Sequence, residues 1–494
     1  MKRLSILIGM ILLLAAFVSP GMTVAMEDSS DAFVPSDTEN ILTGVPYVWQ
    51  EINGLCAWAA TSASFQSAGV NLDLHEVLAA SSVGFSFAYV NHNDTMLMYP
   101  GPVYMQVEPT QFAVDLYGLN MTVYFDKDTP GADQLVDIWQ GRGIDVHTLD
   151  GQNEAFDLMR SSIDEGYPLL LSVNPAWLPA EDYDFLRAAG LSGGGHAILV
   201  VGYDDNSGNA TIIDPGVGSF GDNFGYPADG RGNYTPISYT ALNSAWSDRY
   251  YISILIKPGG PPAEDLSGQL GPYIRDRLLG ANSAYWADPE TTIIWRFGES
   301  AFRALGVDYT REGLTEFLDI FTGVEDERNF QASLLLFLGL GLESQVSLQF
   351  ISFRAALQRL PDLMPDIDLT RFMSAGETAL PHFEALADNA TLIHLGNLTA
   401  ATGFVAGTFR AMADSYNSTG DMASVITEYE DELATISGHL LGIADSWLAA
   451  GNALAEIWPN DPLIVYGHFI AMAAFGVGAL VVAVVIWIRR TPSQ

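Results

Sequence analysis

The stretch HAILVVGYDDNSGNATIID, His196 to Asp214, decides the fold. Two apolar, β-branched runs, HAILVVGY (His196–Tyr203) and ATIID (Ala210–Asp214), flank the polar turn DDNSGN, which makes them an antiparallel hairpin. Pairing in such a hairpin brings its first and last residues, His196 and Asp214, to one end of a sheet. Outward from it, the apolar run Leu169–Val173 reads as another strand, fed through EGYP by a helix over Asn153–Glu165. Met121–Phe125 reads as a strand, and Tyr250–Ile256 as a last strand closing the domain. Ala57–Ala68 reads as a helix stopped by Gly69, with further helices over Asp73–Ala80 and Thr110–Tyr117. Helices come first and strands later, an α+β arrangement.

The flanks set the expected layout. Lys2 and Arg3 precede an apolar run from Leu4 to Val18 and small residues near Thr23–Ala25, so residues 1–25 read as a signal peptide, followed by a linker over 26–44. Residues 45–257 form the mixed domain, and KPGGPPAEDLSG supplies a Pro/Gly linker over 258–270. Residues 271–458 are rich in Ala, Leu and Glu and read as an all-α domain. Its clearest signal is a heptad seam through Met422, Ile426, Tyr429, Leu433, Ile436, Leu440, Ile443 and Trp447, continuing to Ile457. One helix over 422–457, on the order of 50 Å long, is expected to pack inside a bundle, with self-association of the chain as the second reading. Leu463–Ile488 is uncharged and long enough to span a bilayer. Arg489 and Arg490 put the tail 489–494 on the cytoplasmic side. A single-pass cell-surface protein with an extracellular N-terminal ectodomain is therefore expected. LLLFLGLGLESQVSLQF (Leu334–Phe350) is too short in its apolar core, and interrupted by Glu343, to be a second span.

Charge narrows the partners. The chain has 59 acidic and 21 basic side chains; four basic ones lie in the terminal segments, leaving 17 − 59 = −42 for the ectodomain. That field repels phosphate backbones and argues against nucleic-acid binding. Seven Asn-x-Ser/Thr sequons (Asn93, Asn120, Asn209, Asn233, Asn389, Asn397, Asn417) make surface glycosylation an expectation.

Cys56 is the only cysteine, so it is buried, paired between chains, or reactive. It follows Asn53 and Gly54 and precedes an Ala-rich helix, and a helix N-terminus favours thiolate over thiol. His196, after SGGG, is a candidate base, and Asp214 a candidate to orient it. Gln50 offers a side-chain donor beside the Cys56 amide for an oxyanion.

Gln50, Cys56, GGHAILVVGYDD and IIDPG together resemble the papain-like cysteine peptidases, and are similar in particular to the double-glycine, bacteriocin-processing branch in a stand-alone form. The resemblance covers about residues 45–256. It implies that Cys56 attacks, His196 acts as base and then acid, Asp214 orients the imidazole and Gln50 completes the oxyanion hole, with a peptide or protein as substrate and neither a metal nor an organic cofactor. Ala57 and Trp58 depart from the glycine that many relatives carry after the cysteine. The fused exporter of that branch would need a Gly-x4-Gly-Lys-Ser/Thr loop, and none occurs. Acyl transfer on the same residues, and a silent peptidase fold used for surface recognition, stand as alternatives.

Overall fold

A computed structural model describes residues 38–92, 95–98, 107–189, 194–280, 284–288, 291–324, 326–394 and 403–459. The expected signal peptide, most of the linker over 26–44, the span 463–488 and the tail 489–494 lie outside these residues. The chain divides into two compact units: one takes the described residues up to Leu74 together with Tyr117–Pro262, the other His75–Leu116 together with Ala263 onward.

In the first unit the elements are β1 (Glu39–Ile41), α1 (Cys56–Ser67), β2 (Leu119–Asp126), α2 (Ala132–Gln140), β3 (Asp145–Leu149), α3 (Gly151–Asp164), β4 (Leu169–Val173), α4 (Asp184–Ala189), β5 (His196–Asp204), β6 (Asn209–Ile213), β7 (Thr235–Ser238), α5 (Tyr239–Ser247) and β8 (Ser253–Pro258). The strands run β3-β2-β8-β4-β5-β6-β7 across one sheet, all neighbours antiparallel except β2 and β3. The expected hairpin is β5–β6, with Tyr203 opposite Ala210. Along its other edge β5 pairs first with β4, Val173 opposite His196, and then with β1, Ile41 opposite Gly202. Gly202 is required there, since a Cβ would stand 3.0 Å from the Asn40 carbonyl oxygen. Eight of the nine residues of β5 are buried, as its near-continuous apolar run demands. Along helix α1 Ala57 to Phe65 are all buried, the small hydroxyl residues Thr61, Ser62 and Ser64 included, so it runs through the core rather than across its surface.

Two differences from the expected strands have local causes. Tyr250 and Tyr251 sit at φ 53° and 52°, left-handed turn geometry that a strand does not tolerate, so the final strand starts at Ser253 rather than Tyr250. That strand does not close the sheet at an edge: β8 lies between β2 and β4.

The second unit amends the expected domain boundaries. The continuous run 45–257 is interrupted, because strand Ala88–His92 pairs with Thr291–Phe297, which in turn pairs with Ala284–Asp288. With Thr95–Met98 these make a four-stranded sheet, so the region 271–458 is not purely α-helical. The inserted segment also seats on the helix Glu327–Leu363: Phe85 meets Phe353 edge-on at 5.8 Å, and Gln349 donates to the Gly84 carbonyl at 2.7 Å. That helix is long and apolar enough to cross a membrane, and most of its apolar window is buried within the fold. Its Glu343 is buried and accepts from the Ala406 amide at 2.9 Å, which satisfies a free donor in the first turn of the helix Phe404–Thr419. The expected helix 422–457 is divided at Tyr429, whose ψ of 21° separates Met422–Glu428 from Glu430–Ile457. The seam residues Leu433, Ile436, Leu440, Ile443 and Trp447 are buried inside this unit.

Gly84 leaves no room for a side chain: a Cβ would overlap Ala356 and stand 2.6 Å from the Ser352 carbonyl oxygen. Gly84→Ala is expected to lower stability by about 1–3 kcal/mol through overpacking against rigid helix backbone. Thermal unfolding against wild type checks it, and a variant of unchanged midpoint would contradict this packing.

Candidate active site

Cys56 is the first residue of α1, and its helix is entered from Leu55, which makes no side-chain cap. The opening turn therefore keeps free amides, and the N–H groups of Ala57 and Ala197 are directed at the sulfur. The residue is partly exposed, as a reactive thiol must be. His196 opens β5 and is buried; its Nε2 lies 2.7 Å from Oδ1 of Asp214, which follows β6 and is 2% exposed. The thiol makes its hydrogen bond to the same imidazole. The structure thus brings Cys56, His196 and Asp214 together, at the start of the core helix and one end of the β5–β6 hairpin.

The electrostatics follow from burial opposed by pairing. Burial by itself pushes the Cys56 thiol up, but the imidazolium charge, its hydrogen bond and the two backbone amides outweigh this and hold the thiol below its ordinary value. Burial pulls His196 down, yet the charges of Asp214 and of the thiolate, with their hydrogen bonds, raise it to about 10. Both directions favour the charged forms, the thiol toward thiolate and the imidazole toward imidazolium, with the Asp214 carboxylate at Nε2 of the ring. The two groups titrate as a pair.

Gln50 is placed by a different route. It is fully buried, its backbone N–H donates to the Pro215 carbonyl at 3.1 Å, and its side-chain amide donates to Ser219 Oγ. Ser219 Oγ donates in turn to the Gly216 carbonyl at 2.6 Å. The neighbouring Trp49 donates from Nε1 to the Val217 carbonyl at 3.1 Å. The chain ahead of Cys56 is thereby laced to the turn that follows Asp214.

Four residues around the site carried no signal in the sequence. Tyr183, at the end of a short 3-10 turn, places its hydroxyl 3.1 Å from His196 Nε2 and 3.0 and 3.1 Å from the two Asp214 oxygens. Ser219 seats Gln50. Gly216 donates its N–H to Asp214 at 2.9 Å, and a Cβ on it would stand 2.6 Å from His196 Cε1 and 2.7 Å from the Tyr183 hydroxyl. Asp182, beside Tyr183, accepts from the Gly218 amide at 2.9 Å and from Arg231, pinning the same loop. Among the described residues no group of three or more His, Cys, Asp or Glu side chains is arranged to hold a metal ion.

A thiol at the head of a core helix, facing an imidazole that a hairpin carboxylate backs, is the arrangement of a papain-like cysteine peptidase domain. Residues 42–241 match the model of the Peptidase_C39 like family, so this segment of the chain is a C39-peptidase-like domain. No curated protein matches the chain.

The ion pair has a definite signature. Raised His196 adds stability that is complete below about 6.5 and lost as pH rises toward 10. The lowered thiol adds stability above its own folded value, with the opposite slope, and the two slopes cancel between. Alkylation senses the pair directly. Cys56 is expected to react with iodoacetamide well below the pH at which free cysteine does, roughly 8.5, and the low-pH limb is expected to vanish in His196→Ala. Matching curves for the two proteins would refute the pair. In Gly216→Ala the new methyl displaces the imidazole edge, so the low-pH rate is expected to fall by about 10-fold or more; an unchanged rate would show that the ring does not rest on Gly216.

Proposed function

We propose that the C39-peptidase-like domain is an active thiol hydrolase that cleaves peptide bonds, carried on the cell surface by the C-terminal span. The observation that carries this reading is the 2.7 Å contact of His196 with Asp214 behind a thiol held below its ordinary value. The Cys56 thiolate adds to the scissile carbonyl carbon, and the oxygen takes the negative charge. Backbone N–H groups at the head of α1 and the Gln50 amide receive that charge, with Ser219 fixing the amide in its seat. His196 donates its proton to the leaving amine as the C–N bond breaks, leaving an acyl-thioester and a neutral imidazole. Water then loses a proton to His196 and displaces the thiolate, releasing the acid and restoring the pair. Asp214 keeps the imidazole in one orientation.

An amine in place of water in the second half gives acyl transfer on the same residues. A peptide library incubated with the ectodomain, with and without a primary amine, separates the two by product mass. Turnover is expected for wild type and is expected to be absent in Cys56→Ala. His196→Ala is expected to lose about 10³-fold or more, and Asp214→Ala and Gln50→Ala about 10²-fold, in kcat. A Cys56→Ala protein that still turns over substrate would overturn the reading. A folded wild type with no turnover of any peptide would favour a recognition module.

A further inference from the structure

We infer that Tyr183 is a positioning residue of this site: its hydroxyl donates to Asp214, locks carboxylate and imidazole into one arrangement, and sets the pH at which His196 releases its proton. The inference rests on the thiol-hydrolase reading and deepens it.

The geometry is a closed triangle. His196 Nε2 lies 2.7 Å from Asp214 Oδ1, and the Tyr183 hydroxyl lies about equally far from Nε2 and both carboxylate oxygens, at 3.1, 3.1 and 3.0 Å. Protons decide the direction of each bond. The imidazolium Nε2–H points to Asp214, its nearest acceptor, so the phenol proton goes to the carboxylate as well. Burial and the Asp214 charge keep that phenol protonated. Asp214 thus accepts from His196, Tyr183 and the Gly216 amide, and with 2% exposure it has little access to water.

Each donor on a carboxylate draws off part of its charge and lowers its pull on the imidazolium proton. Without the phenol, Asp214 holds that proton more tightly, and transfer to a leaving amine becomes harder. The phenol oxygen also accepts weakly from Nε2–H, which works the other way. At 3.1 Å against 2.7 Å it is the minor arm of that bond. Among the described residues the other charged or titratable groups facing this triangle are Cys56 and Asp182, the latter paired with Arg231, and Tyr47, whose phenol burial and Asp214 push upward. Gly216 closes the fourth side, where a Cβ would strike both the imidazole and the phenol.

The test is the pH dependence of Cys56 alkylation, and of peptide turnover, in full-length wild type, His196→Ala and Tyr183→Phe. Tyr183→Phe is expected to move the upper step, where His196 loses its proton, upward by about one pH unit and to lower kcat about 10-fold with KM unchanged. 3-Fluorotyrosine placed at position 183 keeps the shape and donates more strongly, so it is expected to move the same step downward; it serves as well if the phenylalanine variant fails to fold. An upper step that stays in place or moves down in folded Tyr183→Phe overturns the inference, and so does a fluorotyrosine protein identical to wild type. A wild type without any His196-dependent limb instead brings down the thiol-hydrolase reading, and the inference with it.

Discussion

The interaction on which the site depends is the enclosure of a carboxylate, Asp214, behind an imidazole. A buried carboxylate is costly unless donors surround it. Asp214 has His196, Tyr183 and the Gly216 amide around it. Each of those donors is held by another part of the fold: His196 by the pairing of Val173 opposite it, Tyr183 by a turn next to Asp182, and Gly216 by the tight passage beneath the imidazole. Charge on Asp214 makes the imidazolium stable, and the imidazolium makes the thiolate stable. The Cys56 sulfur is the last link in a chain of compensation that starts at a hairpin end.

The turn from Asp214 to Ser219 joins the two halves of the chemistry. Asp214 and Gly216 seat the imidazole, while Pro215, Val217 and Ser219 bind Gln50 and Trp49. The proton-transfer group and the candidate oxyanion donor are therefore fixed to one short segment. A displacement of that turn alters both at once, so its residues behave as a unit and not as independent contributors. Within Gln50 the Nε2 end is tied to Ser219, while the buried Oε1 makes no hydrogen bond.

Much of this was legible in the sequence, for a physical reason in each case. The β5–β6 hairpin announces itself through a polar turn between β-branched runs, and Cys56 through a glycine-bearing loop ahead of an Ala-rich helix. These are local patterns, and local patterns survive in a linear string. Tyr183 was silent because its value comes from a contact with residues 13 and 31 positions away. Ser219 and Gly216 were silent because a serine and a glycine in a Gly-rich loop look like any other turn residues. The inserted segment was unreadable for the same reason: Ala88–His92 finds its partner strand at Thr291–Phe297, and no periodicity within either run names the other. The break at Tyr429 shows the converse, since the heptad seam continues through it while the backbone does not.

Net charge adds a last constraint. An acidic chain carrying −38 overall would, if its charge acted at long range, raise the basicity of every histidine and so mimic the effect seen at His196. Distance and solvent argue otherwise, because exposed charges are screened within about 8–10 Å. What raises His196 is a buried carboxylate at 2.7 Å together with the charge and hydrogen bond of the Cys56 sulfur. His439 provides the contrast inside the same molecule: burial and then the neighbouring His382 at 3.1 Å lower it, with no carboxylate among the groups that shift it. Basicity at the site is thus a product of three side chains and one turn, and not of the acidic surface.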